Sequence, residues 1–210
     1  EALTEAQQIV GKFSQPEDEE IARMLQEMLE KVERLDARVR GAVAAPTAGF
    51  HFTQRVFDAL REREIEICEV TLHVGPGTFR PVQTERVEDH KMESEQFEIA
   101  DSAAEAVNRA IAERRRVIAV GTTSVRTLES VALQHAGKIV PCRGETDLFI
   151  VPGFRFQVIR GLLTNFHLPK STLLMLVAAF AGTDLVREAY QEAIDRRYRF
   201  FSFGDAMLIF

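Results

Sequence analysis

The chain has 210 residues, 46% of them hydrophobic and 28% charged, which places it among ordinary folded proteins and excludes a disordered one. Its formal charge of −6 excludes a surface coated in positive charge for non-specific nucleic-acid binding, but leaves room for a local basic site. Two cysteines, Cys68 and Cys142, exclude a disulfide scaffold and are expected to be reduced, buried thiols.

The charge is unevenly spread. Residues 1–36 hold 10 acidic and 4 basic side chains, whereas the rest is neutral, with 22 of each. The acidic segment reads as helix, because Ile21, Met24, Leu25, Met28, Leu29, Val32, Leu35 and Val39 recur every three or four residues. Ser14-Gln15-Pro16-Glu17 predicts its cap and Gly41 its stop. The stripe must bury itself on the body or on another chain, so self-association or a partner through this helix is one expectation. The N-terminus shows no secretory pattern, and the apolar run Leu173–Ala181 is far short of the ~20 residues of a membrane helix. A cytoplasmic location without a membrane partner is expected. Beginning with Glu, the chain is expected to be a fragment or a processed form.

After Gly41 the periodicity shifts. Thr53–Arg63 reads as a short helix and Ile65–Val74 as a strand. Phe97–Ile99 reads as a strand, Asp101 to about Glu113 as a helix, Val117–Val120 as a buried strand, and a helix is expected from about Ser124. Leu148–Val151 is expected as a strand before the Pro152-Gly153 turn. Val158–Thr164 reads as a further strand, Ser171–Ala181 and Thr183–Arg197 as helices, and Phe200–Phe210 as a terminal strand region. Strands alternating with helices predict an α/β class with a mixed sheet covered by helices. Residues 1–40 are expected to form a helical segment of their own, and residues 41–210 an α/β domain.

Several loops gather chemistry-bearing residues. Gly121-Thr122-Thr123-Ser124 ends a strand where a helix begins, a place that suits an anion; a plain cap by Thr123 or Ser124 is the alternative. Arg126 and Glu129, three apart on that helix, suit a substrate carboxylate and a ribose, or pair with each other. His73-Val74-Gly75-Pro76-Gly77-Thr78-Phe79-Arg80 and Asn165-Phe166-His167-Leu168-Pro169-Lys170-Ser171 are polar, glycine- or proline-bearing loops beside strands. His51 sits in a loop feeding a helix, as a base or a cap partner. His90-Lys91-Met92-Glu93 lacks the second histidine of a metal site, so no metal is expected. Arg114-Arg115-Arg116 and Arg196-Arg197-Tyr198-Arg199 suit RNA phosphates, or helix C-termini.

Five of these stretches, taken in order, carry a resemblance: Ala45-Pro46-Thr47-Ala48-Gly49, His73–Val82, Ala119–Arg126, Thr164–Ser171 and Tyr198–Met207. They closely resemble the S-adenosylmethionine:tRNA ribosyltransferase-isomerases of queuosine biosynthesis, over about residues 41–210. The resemblance implies transfer and isomerisation of the ribosyl moiety of S-adenosylmethionine onto 7-aminomethyl-7-deazaguanine at the wobble position of tRNA. Epoxyqueuosine-tRNA, adenine and methionine would be the products, with S-adenosylmethionine as co-substrate and no metal. It further implies an α/β domain with an inserted β-barrel, of which the barrel and the family's N-terminal portion are not seen here. Phe50 stands where Leu is commoner and Glu93 where many members have His. The residues this reading puts forward are His51, His73 and His167, then Asp147 and Asp205, for proton transfer. Gly75, Gly77, Thr78, Phe79, Gly121, Thr122, Thr123, Ser124, Arg126, Asn165 and Phe166 are put forward for the co-substrate. Arg114, Arg115, Arg116, Lys170, Arg196, Arg197 and Arg199 are put forward for RNA. The alternative is a truncated, catalytically silent domain that binds a nucleotide or a partner.

Overall fold

A computed structural model of the chain describes residues 47–75, 82, 84, 86–202 and 204–210. The expected N-terminal helix, its cap and its stripe lie outside the described residues, as do Gly77, Thr78 and Phe79. Everything below belongs to the unit that starts at Pro46.

A 3-10 turn, Thr47–His51, leads into α1 (Gln54–Glu62). There follow β1 (Thr71–Leu72), β2 (Glu95–Ile99), α2 (Asp101–Ala112), β3 (Val117–Val120), α3 (Thr122–Gln134) and β4 (Cys142–Thr146). The chain closes with β5 (Ile159–Asn165), α4 (Thr172–Ala181), α5 (Thr183–Asp195) and β6 (Ala206–Ile209). The class is α/β, as expected, but the strands form two sheets. One is antiparallel, in the order β1-β2-β4; the other is mixed, in the order β3-β5-β6, with β3 parallel and β6 antiparallel to β5.

Helix α3 explains the division. It packs against β3 and β5 of the mixed sheet and against β1 and β4 of the antiparallel one. Its buried residues run from Thr122 to Ala132 and include Arg126 and Glu129. A helix enclosed on both sides cannot leave those charges in water, so each is satisfied inside. Arg126 pairs with Glu95 of β2 and donates to the carbonyls of Leu148 (3.0 Å) and Thr146 (3.4 Å). Glu129 accepts the backbone N–H groups of Gln157, Val158 and Ile159 at 2.7–3.0 Å, fixing the start of β5. They do not pair with each other. One buried charge holds α3 to each sheet, with Val125, Val131, Ile159, Leu162 and Val177 filling the core between.

Four boundaries depart from the sequence reading. The strand expected over Ile65–Val74 shrinks to Thr71–Leu72, because Ile65 and Ile67 are each 49% exposed and the apolar alternation there faces no partner layer. Leu148–Val151 is not a strand; Ile150 is buried, but the Leu148 carbonyl is taken by Arg126. The strand is Cys142–Thr146 instead. Its polar sequence hides it, and Gly144 leaves room for the Phe97 ring, which a Cβ would approach to 3.0 Å. Helix α3 starts at Thr122, two residues before the expected Ser124. The thiols also differ from expectation, since Cys68 is exposed and Cys142 only partly buried.

Candidate active site

Because β3 and β5 are parallel, their C-terminal ends lie together, the usual place for a ligand in such sheets. The chain leaves β3 through Gly121, whose φ of 87° and ψ of 147° are open only to glycine. The Gly121 N–H donates to Leu163 of β5 (2.8 Å). No side chain caps α3. Ser124 Oγ instead donates back to the Val120 carbonyl (2.9 Å), and Thr127 Oγ1 to that of Thr123 (3.0 Å). The alternative, a cap by Thr123 or Ser124, is therefore not made, and the first N–H groups of the helix receive no side-chain cap.

The 3-10 turn covers this end. A Cβ on Gly121 would lie 3.7 Å from that of Ala48. The same turn carries Thr47 and His51 to Asn165, the last residue of β5. Thr47 Oγ1 lies 3.4 Å from Asn165 Oδ1, and Asn165 Nδ2 lies 3.1 Å from His51 Nε2. Partial burial pulls the His51 pKa below its ordinary value, and the Asp205 carboxylate opposes the shift. Asp205 is held by a closed loop. Its Oδ2 accepts the Arg199 N–H (2.8 Å), its own N–H donates to the Arg199 carbonyl (2.7 Å), and the Arg199 guanidinium lies 3.7 Å from Oδ1. Gly204 closes the loop, since a Cβ there would stand 2.2 Å from the Arg199 carbonyl oxygen.

His51 and Asp205 are thus the two proton-transfer candidates the fold brings together. His167 is placed elsewhere. Successive residues of β5 face opposite sides, so Asn165 meets His51 while Thr164 Oγ1 meets His167 Nε2 (2.9 Å) on the other side. His167 is buried, and desolvation pushes its pKa down to about 4; its backbone N–H donates to the Tyr190 hydroxyl (2.8 Å). Burial favours its neutral form and sets it apart from the His51 side of β5. Phe166 is likewise sequestered, packed edge-on against Tyr190 and Tyr198 and beside Phe200. The His73 N–H bonds the Gln96 carbonyl (2.8 Å) and extends the β1–β2 ladder by one residue. That register places His73 on the outer side with exposed Gln96, opposite buried Glu95 and Phe97. Asp147 is an exposed residue just past β4. Arg126, expected to hold a substrate carboxylate, is committed to Glu95, and a second carboxylate would have to displace that buried partner. Gly75 is also engaged, its N–H donating to Glu95 Oε1 (2.9 Å).

The basic residues divide in the same way. Arg114–Arg116 precede β3, and four strand residues at about 3.3 Å each separate them from Gly121. There Arg115 pairs with Glu113 and Glu66, and Arg116 stacks on the Phe210 ring at 4.9 Å. This cluster belongs to the end of the sheet away from His51. Arg199 stands beside Asp205, while Arg196 and Arg197 end α5 just before it, with Arg196 paired to Glu192 (2.6 Å). Lys170, in the left-handed region (φ 59°), accepts the Val82 N–H at its carbonyl (2.8 Å) ahead of α4. His90 packs its ring 5.2 Å from that of Phe149. Sequence reasoning passed over Thr47, Glu95, Thr164 and Tyr190. Thr47 and Thr164 carried a signal, as hydroxyls inside two of the quoted motifs; Glu95 and Tyr190 are partners that the tertiary fold alone supplies.

Comparison with known proteins bears on this geometry. A family model described as queuosine biosynthesis protein matches residues 10–209. The S-adenosylmethionine:tRNA ribosyltransferase-isomerase of Carboxydothermus hydrogenoformans is 59% identical over 180 residues, covering 86% of this chain and 53% of the relative. That of Heliobacterium modesticaldum is 55% identical over 200 residues, covering 95% and 58%. The crystal structure of S-adenosylmethionine tRNA ribosyltransferase from Thermotoga maritima superposes with a TM-score of 0.61 at 44% identity, covering 78% of this chain and 51% of that one. The chain spans about half the length of the curated relatives it matches. The family match includes most of residues 1–40, which the motif-based reading had set outside it.

Proposed function

The chain belongs to the queuosine biosynthesis protein family, and on that premise we propose that it carries the catalytic half of an S-adenosylmethionine:tRNA ribosyltransferase-isomerase. The reaction moves the ribosyl group of S-adenosylmethionine onto 7-aminomethyl-7-deazaguanine in tRNA, with adenine and methionine released and epoxyqueuosine-tRNA formed. The single observation that supports this reading most is the meeting of His51, Asn165, Asp205 and the uncapped N-terminus of α3 at the C-terminal ends of two parallel strands.

The chemistry fits those groups. The sulfonium acidifies the C5′ hydrogens, and a base must take one of them. Adenine must leave with a proton supplied to it, and the amine of the target base must attack as a neutral group. His51, with Asp205 to stabilise its charged form, is assigned the proton transfers. The backbone N–H groups opening α3 are assigned the methionine carboxylate, in place of Arg126. Arg196, Arg197, Arg199 and Lys170, on the segments flanking Asp205 and Asn165, are assigned the RNA backbone. Arg114–Arg116, ahead of β3 and engaged with Glu113, Glu66 and Phe210, take no part in it. Among the described residues no helix is long and apolar enough to cross a membrane, and no cluster of three or more His, Cys, Asp or Glu side chains could hold a metal. A cytoplasmic place of action follows from the tRNA substrate.

Incubation with S-adenosylmethionine, with and without tRNA carrying the precursor base, tests the reading. Adenine release dependent on that tRNA is expected. Release of S-adenosylhomocysteine instead would identify a methyltransferase. Binding of S-adenosylmethionine without release would leave a silent nucleotide-binding domain.

A further inference from the structure

Asn165 is only 3% exposed, so its side-chain amide must find its partners within the protein. Its two neighbours are a hydroxyl and an imidazole. As placed, Nδ2–H donates to His51 Nε2, and Oδ1 accepts from Thr47 Oγ1–H. This arrangement requires a neutral ring with its proton on Nδ1, so His51 can only donate from its other nitrogen. If the amide turns over, Oδ1 accepts from His51 Nε2–H, while Nδ2–H donates to Thr47 Oγ1. The hydroxyl both donates and accepts, so both contacts are kept in either orientation. The proton is now on Nε2, and Nδ1 presents a lone pair.

We propose that Asn165 is the positioning residue that sets which nitrogen of His51 carries the proton, by turning its amide between Thr47 and the ring. In one orientation Nδ1 is a donor; in the other it is a base, and the imidazolium formed when it takes a proton keeps Asn165 Oδ1 as the acceptor for Nε2–H. Asn165 was read from the sequence as a co-substrate contact, and this assigns it to His51 instead. The charged group acting on the ring is Asp205, itself beside Arg199. Asp205 favours the charged ring, while Thr47 lets the amide serve both neutral forms. The inference deepens the proposed reaction and rests on it only for the activity measurement below.

The test is NMR of the full chain with histidine side chains labelled with nitrogen-15, which reports tautomer and titration for each ring. Asn165→Asp offers acceptors only. It is expected to fix the proton on Nε2 and to raise the midpoint of the His51 titration by about one pH unit or more, a tenfold gain in proton affinity. Thr47→Val is expected to move the His51 tautomer balance, and Thr47→Ser to restore it. If the two Thr47 variants give the same His51 spectrum as wild type, or if folded Asn165→Asp titrates with wild type, the inference is overturned. A purely structural Asn165 would change melting temperature without moving the tautomer. In a full-length relative, the matching Asn→Asp change is expected to shift the pH profile of adenine release while leaving KM for S-adenosylmethionine within about twofold. Adenine release absent from the wild type overturns the proposed function and leaves the NMR result standing; a normal pH profile in the variant overturns the coupling alone.

Discussion

Glu129 separates two readings of the same residue. From sequence it suits a ribose hydroxyl; in the fold its carboxylate accepts three backbone donors at the start of β5, Gln157 (2.7 Å) on Oε2 and Val158 (3.0 Å) and Ile159 (2.8 Å) on Oε1. The residue is 0% exposed, so water does not share the work. Glu129→Ala removes all three bonds. Hydrogen bonds to a charged group contribute about 1.5–3 kcal/mol each, an upper sum of about 9 kcal/mol. Relief of the carboxylate's own desolvation and entry of water offset part of this, leaving an expected loss of about 3–6 kcal/mol. Glu129→Gln keeps one oxygen for Val158 and Ile159 but sets an NH₂ against the Gln157 N–H, for an expected loss of about 2 kcal/mol. In a unit of this size each kcal/mol moves Tm by roughly 2–4 °C, so Tm should fall by about 6–24 °C for Ala and about 4–8 °C for Gln. Thermal melts and urea midpoints read the stability, and calorimetric titration with S-adenosylmethionine reads binding. A Gln variant whose Tm stays within about 2 °C of wild type while its affinity for S-adenosylmethionine collapses would refute the strand-clamp argument and restore the ribose contact.

Three further outcomes are expected. Gly204→Ala drives a Cβ to 2.2 Å from the Arg199 carbonyl oxygen, so the loop that presents Asp205 must open. Adenine release in a full-length relative should fall more than tenfold while stability drops by only about 1–3 kcal/mol, and full activity would sink the role given to that loop. Arg126→Ala removes the guanidinium from buried Glu95 and should lower the urea-derived stability by about 3–5 kcal/mol; stability unchanged, with S-adenosylmethionine binding lost, would return Arg126 to the ligand. His167 has a folded pKa of about 4 against an ordinary 6.5, so as the pH falls the unfolded chain takes the proton first. Its contribution is intact above pH 6.5 and is lost as the pH falls to about 4, amounting to about 3 kcal/mol, and His167→Asn should flatten that part of the stability–pH curve.

The elements that were legible in the sequence are those whose burial follows a period. Asp101–Ala112 repeats buried alanines and Val107 on one face, and Val117–Val120 is an apolar run closed by a glycine. Cys142–Thr146 was illegible because an edge strand can be polar when only Thr146 is buried and Gly144 serves a neighbour's ring. The division into two sheets was hidden for a related reason. It depends on α3 being enclosed by both, and Arg126 and Glu129 made that helix look amphipathic with a polar, ligand-facing side. A charge on a predicted helix is read as solvent-facing or functional, because burying it requires a partner, and the partners (Glu95 and the amides of Gln157–Ile159) come from segments about 30 residues away.

The same long-range dependence decides the histidines. His51, His73 and His167 all stand in motif-like loops, and nothing local ranks them. Strand alternation does: Asn165 and Thr164 are neighbours in sequence, yet they send one histidine to the N-terminal end of α3 and the other into a desolvated niche. Charge follows the same logic. The acidic excess of residues 1–36 falls largely inside the family match, so it cannot be set aside as foreign to the family. The proposed RNA contact rests instead on where the arginines stand. Arg199 lies against Asp205, and Arg196 and Arg197 end the helix just before it, whereas Arg114–Arg116 sit at the far end of β3. Screening over about 8–10 Å at physiological ionic strength makes the arginines beside Asp205 the ones that count for a phosphate at the proposed site. Salt dependence of tRNA binding should therefore fall in Arg196→Ala/Arg197→Ala and stay at wild-type slope in Arg114→Ala/Arg115→Ala.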